Sequence, residues 1–252
     1  MPYLVRTIVL IAMMFGLLQA AIADDARPTA ASGLTEPEIR TIVREYLMEH
    51  PEIIVEALQI YQQREEMAEA ARAREMLLAH RDRLDDPTGK FVAGNPDGDV
   101  TIVEFFDYRC GFCKKVMPAL LDEVARDGNV RLVLKEFPVL GEDSVRAARA
   151  AIAAARQDRY YDMHLAMMQT RGNLTEAKIM SIALDLGLDV DQLKTDMASP
   201  EVEDEITRNY ELAQLLNIRG TPGFIIGDTM VPGAINAQQF RELIEKARQS
   251  KG

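Results

Sequence analysis

Residues 100–117 read VTIVEFFDYRCGFCKKVM, and the fold turns on how this stretch is read. Val100 to Phe106 is β-rich and mostly apolar, the pattern of a buried strand. Cys113, Val116, Met117, Leu120, Leu121 and Val124 then recur at helical spacing, so a helix begins at the cysteines. A strand, then Cys110-Gly111-Phe112-Cys113, then a helix is the arrangement of a thiol–disulfide site. The reason is electrostatic. The thiolate, not the thiol, attacks a disulfide. Unpaired N–H groups and the dipole at a helix N-terminus favour that anion. Cys110, just before the first turn, is therefore expected to be the low-pKa nucleophile. Cys113, one turn into the helix and more buried, is expected to resolve the mixed disulfide by attacking Cys110.

Outward from this stretch, Gly94 to Asp99 is dense turn signal and Val130 to Phe137 is the next strand. Residues 141–216 read as consecutive helices, with starts at Asp189 (Gln192 three residues on) and at Ser199 before Pro200. Phe224 to Ile226 and Thr229 to Val231 form a hairpin around Gly227-Asp228. Asn236, with Gln239 three residues on, caps a last helix. Residues 87–252 are thus expected to be an α/β domain: strand–helix–strand, a helical block, a hairpin and a helix. No internal repeat is visible.

The N-terminal third is of a different kind. Residues 1–23 read as a secretory signal peptide: Arg6, an apolar run from Thr7 to Ala21, then the A-x-A site Ala21-Ile22-Ala23. The run is shorter than the ~20 residues a membrane span needs, so cleavage after Ala23 is expected. A leader, 24–33, precedes a helical arm running to residue 61. Thr35 with Glu38 is a capping-box pair, and Ile39, Ile42, Val43, Tyr46 and Leu47 share one helical face. His50-Pro51 breaks that helix and starts another, whose face continues through Ile54, Val55, Leu58 and Tyr61. Residues 62–86 are Ala- and charge-rich and read as a helical linker. An amphipathic arm on a solvated spacer is expected to pack on copies of itself, which makes the chain a homo-oligomer.

Composition excludes several function classes. The chain has 252 residues, 40 acidic against 29 basic, a net charge of −11 that becomes −12 once Arg6 is removed. That charge disfavours nucleic-acid binding. Two cysteines and three histidines are too few for a disulfide-stapled miniprotein or a cysteine-based zinc site. Cys110 and Cys113 close almost no loop, so in an exported protein their disulfide is better explained by reactivity than by stabilisation. No organic cofactor motif is present; the redox group expected is the Cys110–Cys113 disulfide itself, with no metal.

Three motifs, EFFDYRCGFCKK, KEFPVLGEDSVRAARA and RGTPGFIIG, resemble the DsbA-like branch of thioredoxin-fold oxidoreductases. The resemblance covers about 87–252. The arm LTEPEIRTIVREYLMEHPEIIVEAL resembles the N-terminal segment of ScsC-type proteins, named for suppression of copper sensitivity, some of which are trimeric isomerases. This implies a thioredoxin fold with an inserted helical subdomain (about 141–216), preceded by an N-terminal helical arm. It implies that Pro222 is a cis-proline opposite the cysteines and that Thr221 pairs with an extended substrate. It implies that Glu104 is a buried acid beneath the cysteines, with a raised pKa, able to relay a proton to or from Cys113. Lys135 on the neighbouring strand is a candidate partner for Glu104. Gly111 and Phe112 stand where strongly oxidising relatives carry Pro-His, so a less depressed Cys110 pKa and a less oxidising disulfide are expected, with Phe112 as an apolar contact for unfolded substrates.

The resulting expectation is a periplasmic thiol:disulfide oxidoreductase, an oligomeric isomerase or reductase, with a trimer favoured by the resemblance. Its partners would be unfolded or misoxidised exported proteins and a membrane thiol–disulfide redox protein. The alternatives are an oxidase that introduces disulfides and, in a different class, a copper(I) carrier using the same thiols. For the carrier, Met163, His164, Met167 and Met168 form a soft-ligand cluster by composition, although methionines at helical spacing also fill cores.

Overall fold

The computed structural model describes residues 33–86, 88 and 90–250. The expected signal peptide and most of the leader lie outside the described residues. The chain divides into two compact units, one ending at Gln63 and one beginning at Arg64.

In the first unit Thr35 caps α1 (Glu36–Glu49) through a reciprocal capping box with Glu38, whose carboxylate accepts from the Thr35 amide at 2.7 Å. His50 ends the helix, its amide donating to the Tyr46 carbonyl at 2.9 Å. Pro51 then leads into α2 (Glu52–Ala79), which spans the boundary between the units. No residue of α1 is buried. Ile39, Ile42, Val43, Tyr46, Ile54, Val55, Leu58 and Tyr61 are all exposed.

The second unit is built on a five-stranded sheet: β1 (Val92–Gly94), β2 (Val100–Phe106), β3 (Val130–Glu136), β4 (Gly223–Ile226) and β5 (Thr229–Pro232). Their order is β1-β3-β2-β4-β5. Only β2 and β3 are parallel; α4 (Gly111–Asp127) joins them as the crossover. A central strand is buried on both faces, and in β2 and β3 alike six of the seven residues are buried. β1, three residues ending in a glycine, is an edge strand that the sequence reading did not contain. Gly227 turns the β4–β5 hairpin at φ 58°, and a Cβ there would sit 2.8 Å from Ala247 Cβ.

The side chains of each strand alternate between two cores. Ile102, Phe106, Leu132, Leu134, Phe224 and Ile226 face α4 and α10 (Ala237–Gln249). Val103, Phe105, Val133, Phe137 and Ile225 form the second core. Between β3 and β4 come α5 (Glu142–Ala154), α6 (Tyr160–Gln169), α7 (Glu176–Asp185), α8 (Val190–Met197) and α9 (Pro200–Leu215). Asp189 caps α8 by accepting from the Gln192 amide at 2.9 Å. α9 serves both cores: Val202 and Ile206 lie in the first, Leu212 and Ala213 in the second. The end of α2 and α3 (Arg81–Leu84) also pack on the second core, through Leu77 and Leu84. Residues 76–84 are therefore part of the working domain's packing rather than spacer alone.

Candidate active site

Cys110 is the N-cap of α4, and its sulfur accepts from the Cys113 amide at 3.3 Å. This is one of the orphan donors that every helix N-terminus presents. The Cys110 thiol also donates to the Thr221 carbonyl at 3.3 Å. Both cysteines are free thiols, Cys110 6% and Cys113 0% exposed. The pair is electrostatically asymmetric. Cys110 is pulled down from 9.0 to about 5, first by the hydrogen bond from the Cys113 side chain, then by hydrogen bonds from the Thr221 side chain and the α4 amides. The same hydrogen bond, seen from Cys113, together with burial, pushes that thiol up, and the nearby Glu104 adds to the rise. At neutral pH the site therefore holds one thiolate and one thiol, with the proton on the buried sulfur.

Glu104 is 1% exposed and lies on the first-core face of β2, in register with Leu134 and Phe224. Its Oε1 has no hydrogen-bond partner. Burial, then the Cys110 charge, raises its pKa from 4.5 to about 8. Lys135 does not join it. Leu134 is the residue in register with Glu104, so Lys135, one position on, points to the opposite face of the sheet. There its Nζ donates to the Asp85 carbonyl at 3.4 Å. The expected Glu104–Lys135 pairing is thus corrected by strand alternation.

The peptide bond between Thr221 and Pro222 is cis. Gly111 and Phe112 face solvent, Phe112 at 65% exposure. Two grooves flank the dithiol: one of about 650 Å³ along 217–224 and 230–233, and one of about 610 Å³ lined by Arg109, Lys114, Met117 and Arg171. A larger cavity, about 760 Å³, lies apart from the dithiol, between residues 138–149 and α7 to α9.

Two features escaped the sequence reading. Asp107 is buried and braces the active-site loop against the loop that follows β3. Its carboxylate accepts from the Arg109 amide at 2.7 Å, the Leu140 amide at 3.0 Å and the Ser144 hydroxyl at 2.8 Å. Beside it, the Tyr108 and Tyr160 hydroxyls both donate to Glu136 Oε1, at 2.8 and 3.0 Å. His164 Nδ1 lies 3.2 Å from the Tyr108 hydroxyl. Burial pushes His164 down to about 3, so the ring is neutral. Met163, Met167 and Met168, the other members of the composition-based soft-ligand cluster, are buried in the first core.

The model of the DSBA-like thioredoxin domain matches residues 101–245, more than half of the chain. The chain belongs to the DSBA-like thioredoxin domain family. The model of the copper resistance protein ScsC N-terminal domain matches residues 36–68. A thioredoxin-like oxidoreductase from Silicibacter pomeroyi is 45% identical, with a TM-score of 0.64 over 67% of this chain and 98% of that one. Proteus mirabilis ScsC in a transitional conformation is 28% identical, with a TM-score of 0.64 over 85% and 97%. The probable disulfide bond formation protein D of Bacillus cereus is 29% identical over 54% of this chain and 69% of that protein. The chain spans only 29% of the length of the Na(+)/H(+) antiporter NhaA 3 of Salinispora tropica, to which it is 28% identical over 72% of its own length. As a member of the DsbA-like family, the chain carries the thioredoxin fold with the helical block of α5 to α9 inserted between β3 and β4.

Proposed function

We propose that this chain is an exported, periplasmic thiol:disulfide oxidoreductase that rearranges protein disulfides as a homo-oligomer. The observation that carries the chemistry is the asymmetric dithiol: Cys110 at the N-cap of α4, its sulfur accepting from the Cys113 amide, with the fully buried Cys113 behind it. In the forward step the Cys110 thiolate attacks one sulfur of a substrate disulfide and expels the other as a thiolate. If a second substrate thiolate then attacks the substrate sulfur of the mixed disulfide, Cys110 is released and no electrons are transferred, which is isomerisation. If Cys113 attacks Cys110 instead, the substrate gains two electrons and the Cys110–Cys113 disulfide forms, which is reduction. Cys113 must lose its proton to do this. Glu104 acts on both sulfurs and is the candidate acceptor once ionised, which the loss of the Cys110 charge in the mixed disulfide favours. The Thr221-Pro222 segment and Phe112 form the platform on which the substrate chain lies.

The exposed apolar face of the arm supports the oligomer, and with it the isomerase over the oxidase. Facing sites around a shared cleft can hold a misfolded chain through repeated attack and release, and the trimer is the favoured stoichiometry. Reactivation of disulfide-scrambled ribonuclease tests this reading. The full chain should reactivate it, and Val43→Asp with Leu58→Asp, which charges the arm's exposed face, should abolish both reactivation and self-association. Rapid oxidation of reduced ribonuclease without reactivation of the scrambled form would instead make the chain an oxidase.

A further inference from the structure

From residue 90 to residue 250, among the described residues, every arginine pairs with a carboxylate except Arg109, Arg171 and Arg219. These three surround the dithiol. Arg109 precedes Cys110, Arg171 lines the same groove as Arg109 and Lys114, and Arg219 lies two residues before Thr221, whose carbonyl receives the Cys110 thiol. All three are exposed.

The side chains of Arg109 and Arg219, and that of Lys114 in the same groove as Arg171, are held by neutral acceptors. Arg109 Nη1 donates to the Leu140 carbonyl at 2.6 Å, Lys114 Nζ to the Thr170 carbonyl at 2.6 Å, and Arg219 Nε to Asn217 Oδ1 at 2.9 Å. Such contacts orient a cation without neutralising it. Of the nearby carboxylates, Asp143 pairs with Arg146 at 2.7 Å, and Asp107, buried in the loop brace, acts on Lys114 and offsets that cation in part. Glu69, on the groove beside Thr221, and Glu142, next to Gly141, are exposed acids that border the face. A chain with a net charge of −11 therefore places three arginines without an ion-pair partner around its reactive sulfur. The Cys110 thiolate is held by Cys113, Thr221 and the α4 amides, so these cations are left to act on whatever approaches.

We propose that this rim selects substrates: the preferred occupant is an extended polypeptide segment carrying carboxylates on either side of the attacked disulfide. The cations steer the acidic segment in, and Phe112 between them contacts its apolar residues. This rests on the oxidoreductase reading above and adds a substrate class to it.

The test uses the reduced full chain and three disulfide-bearing peptides of equal length, flanked by aspartates, by neutral residues or by lysines. Each exchange rate is divided by that peptide's rate with mercaptoethanol, which removes the peptide's own reactivity. At low salt the aspartate peptide should react about tenfold faster than the lysine peptide. The ratio should fall towards one at high salt. Arg171→Glu with Arg219→Glu should invert the ratio and Arg171→Gln with Arg219→Gln should level it, in variants whose thermal melts match the parent. A ratio at or below one at low salt, or a ratio that neither double variant moves, would overturn the inference. Equal exchange with all three peptides sinks this inference alone; exchange with none sinks the oxidoreductase reading beneath it.

Discussion

Replacing Glu104 by glutamine should make the protein more stable, and increasingly so as the pH rises. Glu104 sits at 1% exposure between Leu134 and Phe224, with Oε1 unpartnered, and burial with the Cys110 charge lifts its pKa from 4.5 to about 8. Below the lower value both folded and unfolded chains carry the proton. Between the two values the unfolded chain has lost it and the folded chain has kept it. In that window the folded state binds one more proton than the unfolded state, so stability falls with pH at about 1.4 kcal/mol per pH unit for this group. By pH 7 the accumulated cost is roughly 3 kcal/mol, and above the folded value it levels off at roughly 4–5 kcal/mol. Glutamine keeps the shape and cannot ionise, so the variant lacks this loss. Urea unfolding of the reduced parent and of Glu104→Gln should give stability curves that meet near pH 4.5, diverge to about pH 8 and then run parallel. Taking the difference isolates Glu104 from Glu136, whose pKa burial also raises. In the oxidised protein the Cys110 charge is gone, so the divergence should shrink. Parallel curves across the whole range would refute the reasoning, because they would mean that Glu104 ionises inside the fold at no cost.

Other consequences can be measured alongside. Cys113→Ala removes the main hydrogen bond that holds down the Cys110 thiolate, so the pH midpoint of Cys110 alkylation should move up from about 5, and mixed disulfides with substrate should accumulate, as mass spectrometry would reveal. Asp107→Ala strands the amides of Arg109 and Leu140 and the Ser144 hydroxyl, and should cost about 3 kcal/mol in urea unfolding, with faster proteolysis of the loop after β3. Glu104→Gln should also slow the Cys113-dependent release of a mixed disulfide while leaving the first attack by Cys110 unchanged, which stopped-flow kinetics would separate.

The central strand, the crossover helix and the dithiol at its N-cap could all be read from residues 100–124, because each rests on local pattern: an apolar run, a 3.6-residue period and a cysteine at the first turn. The capping boxes at Thr35 and Asn236 were legible for the same reason, their partners lying three residues away. The face of Lys135 is not legible in β3 alone, because it depends on the register that sets Leu134, not Lys135, beside Glu104. β1 was missed because a three-residue strand has no period to detect, and its existence depends on pairing with Val133, Leu132 and Arg131 far along the chain. The Asp107 brace and the Tyr108–Glu136–Tyr160 cluster depend on partners brought together by tertiary closure, across separations of 33, 37, 28 and 24 residues. An acidic residue next to an aromatic one at a strand end was the only local hint of them. The arginines without an ion-pair partner could not be recognised from composition either, since the other arginines of the domain are equally charged and differ only in having folded against a carboxylate.

The most direct test of the account is a pH titration of the reduced protein, with each cysteine's alkylation rate followed by mass spectrometry. The account requires Cys110 to become reactive with a midpoint near 5 while Cys113 stays protonated and unreactive throughout the neutral range. Two cysteines titrating together near the ordinary value of 9.0 would contradict it, because no thiolate would then be poised at neutral pH to begin the exchange.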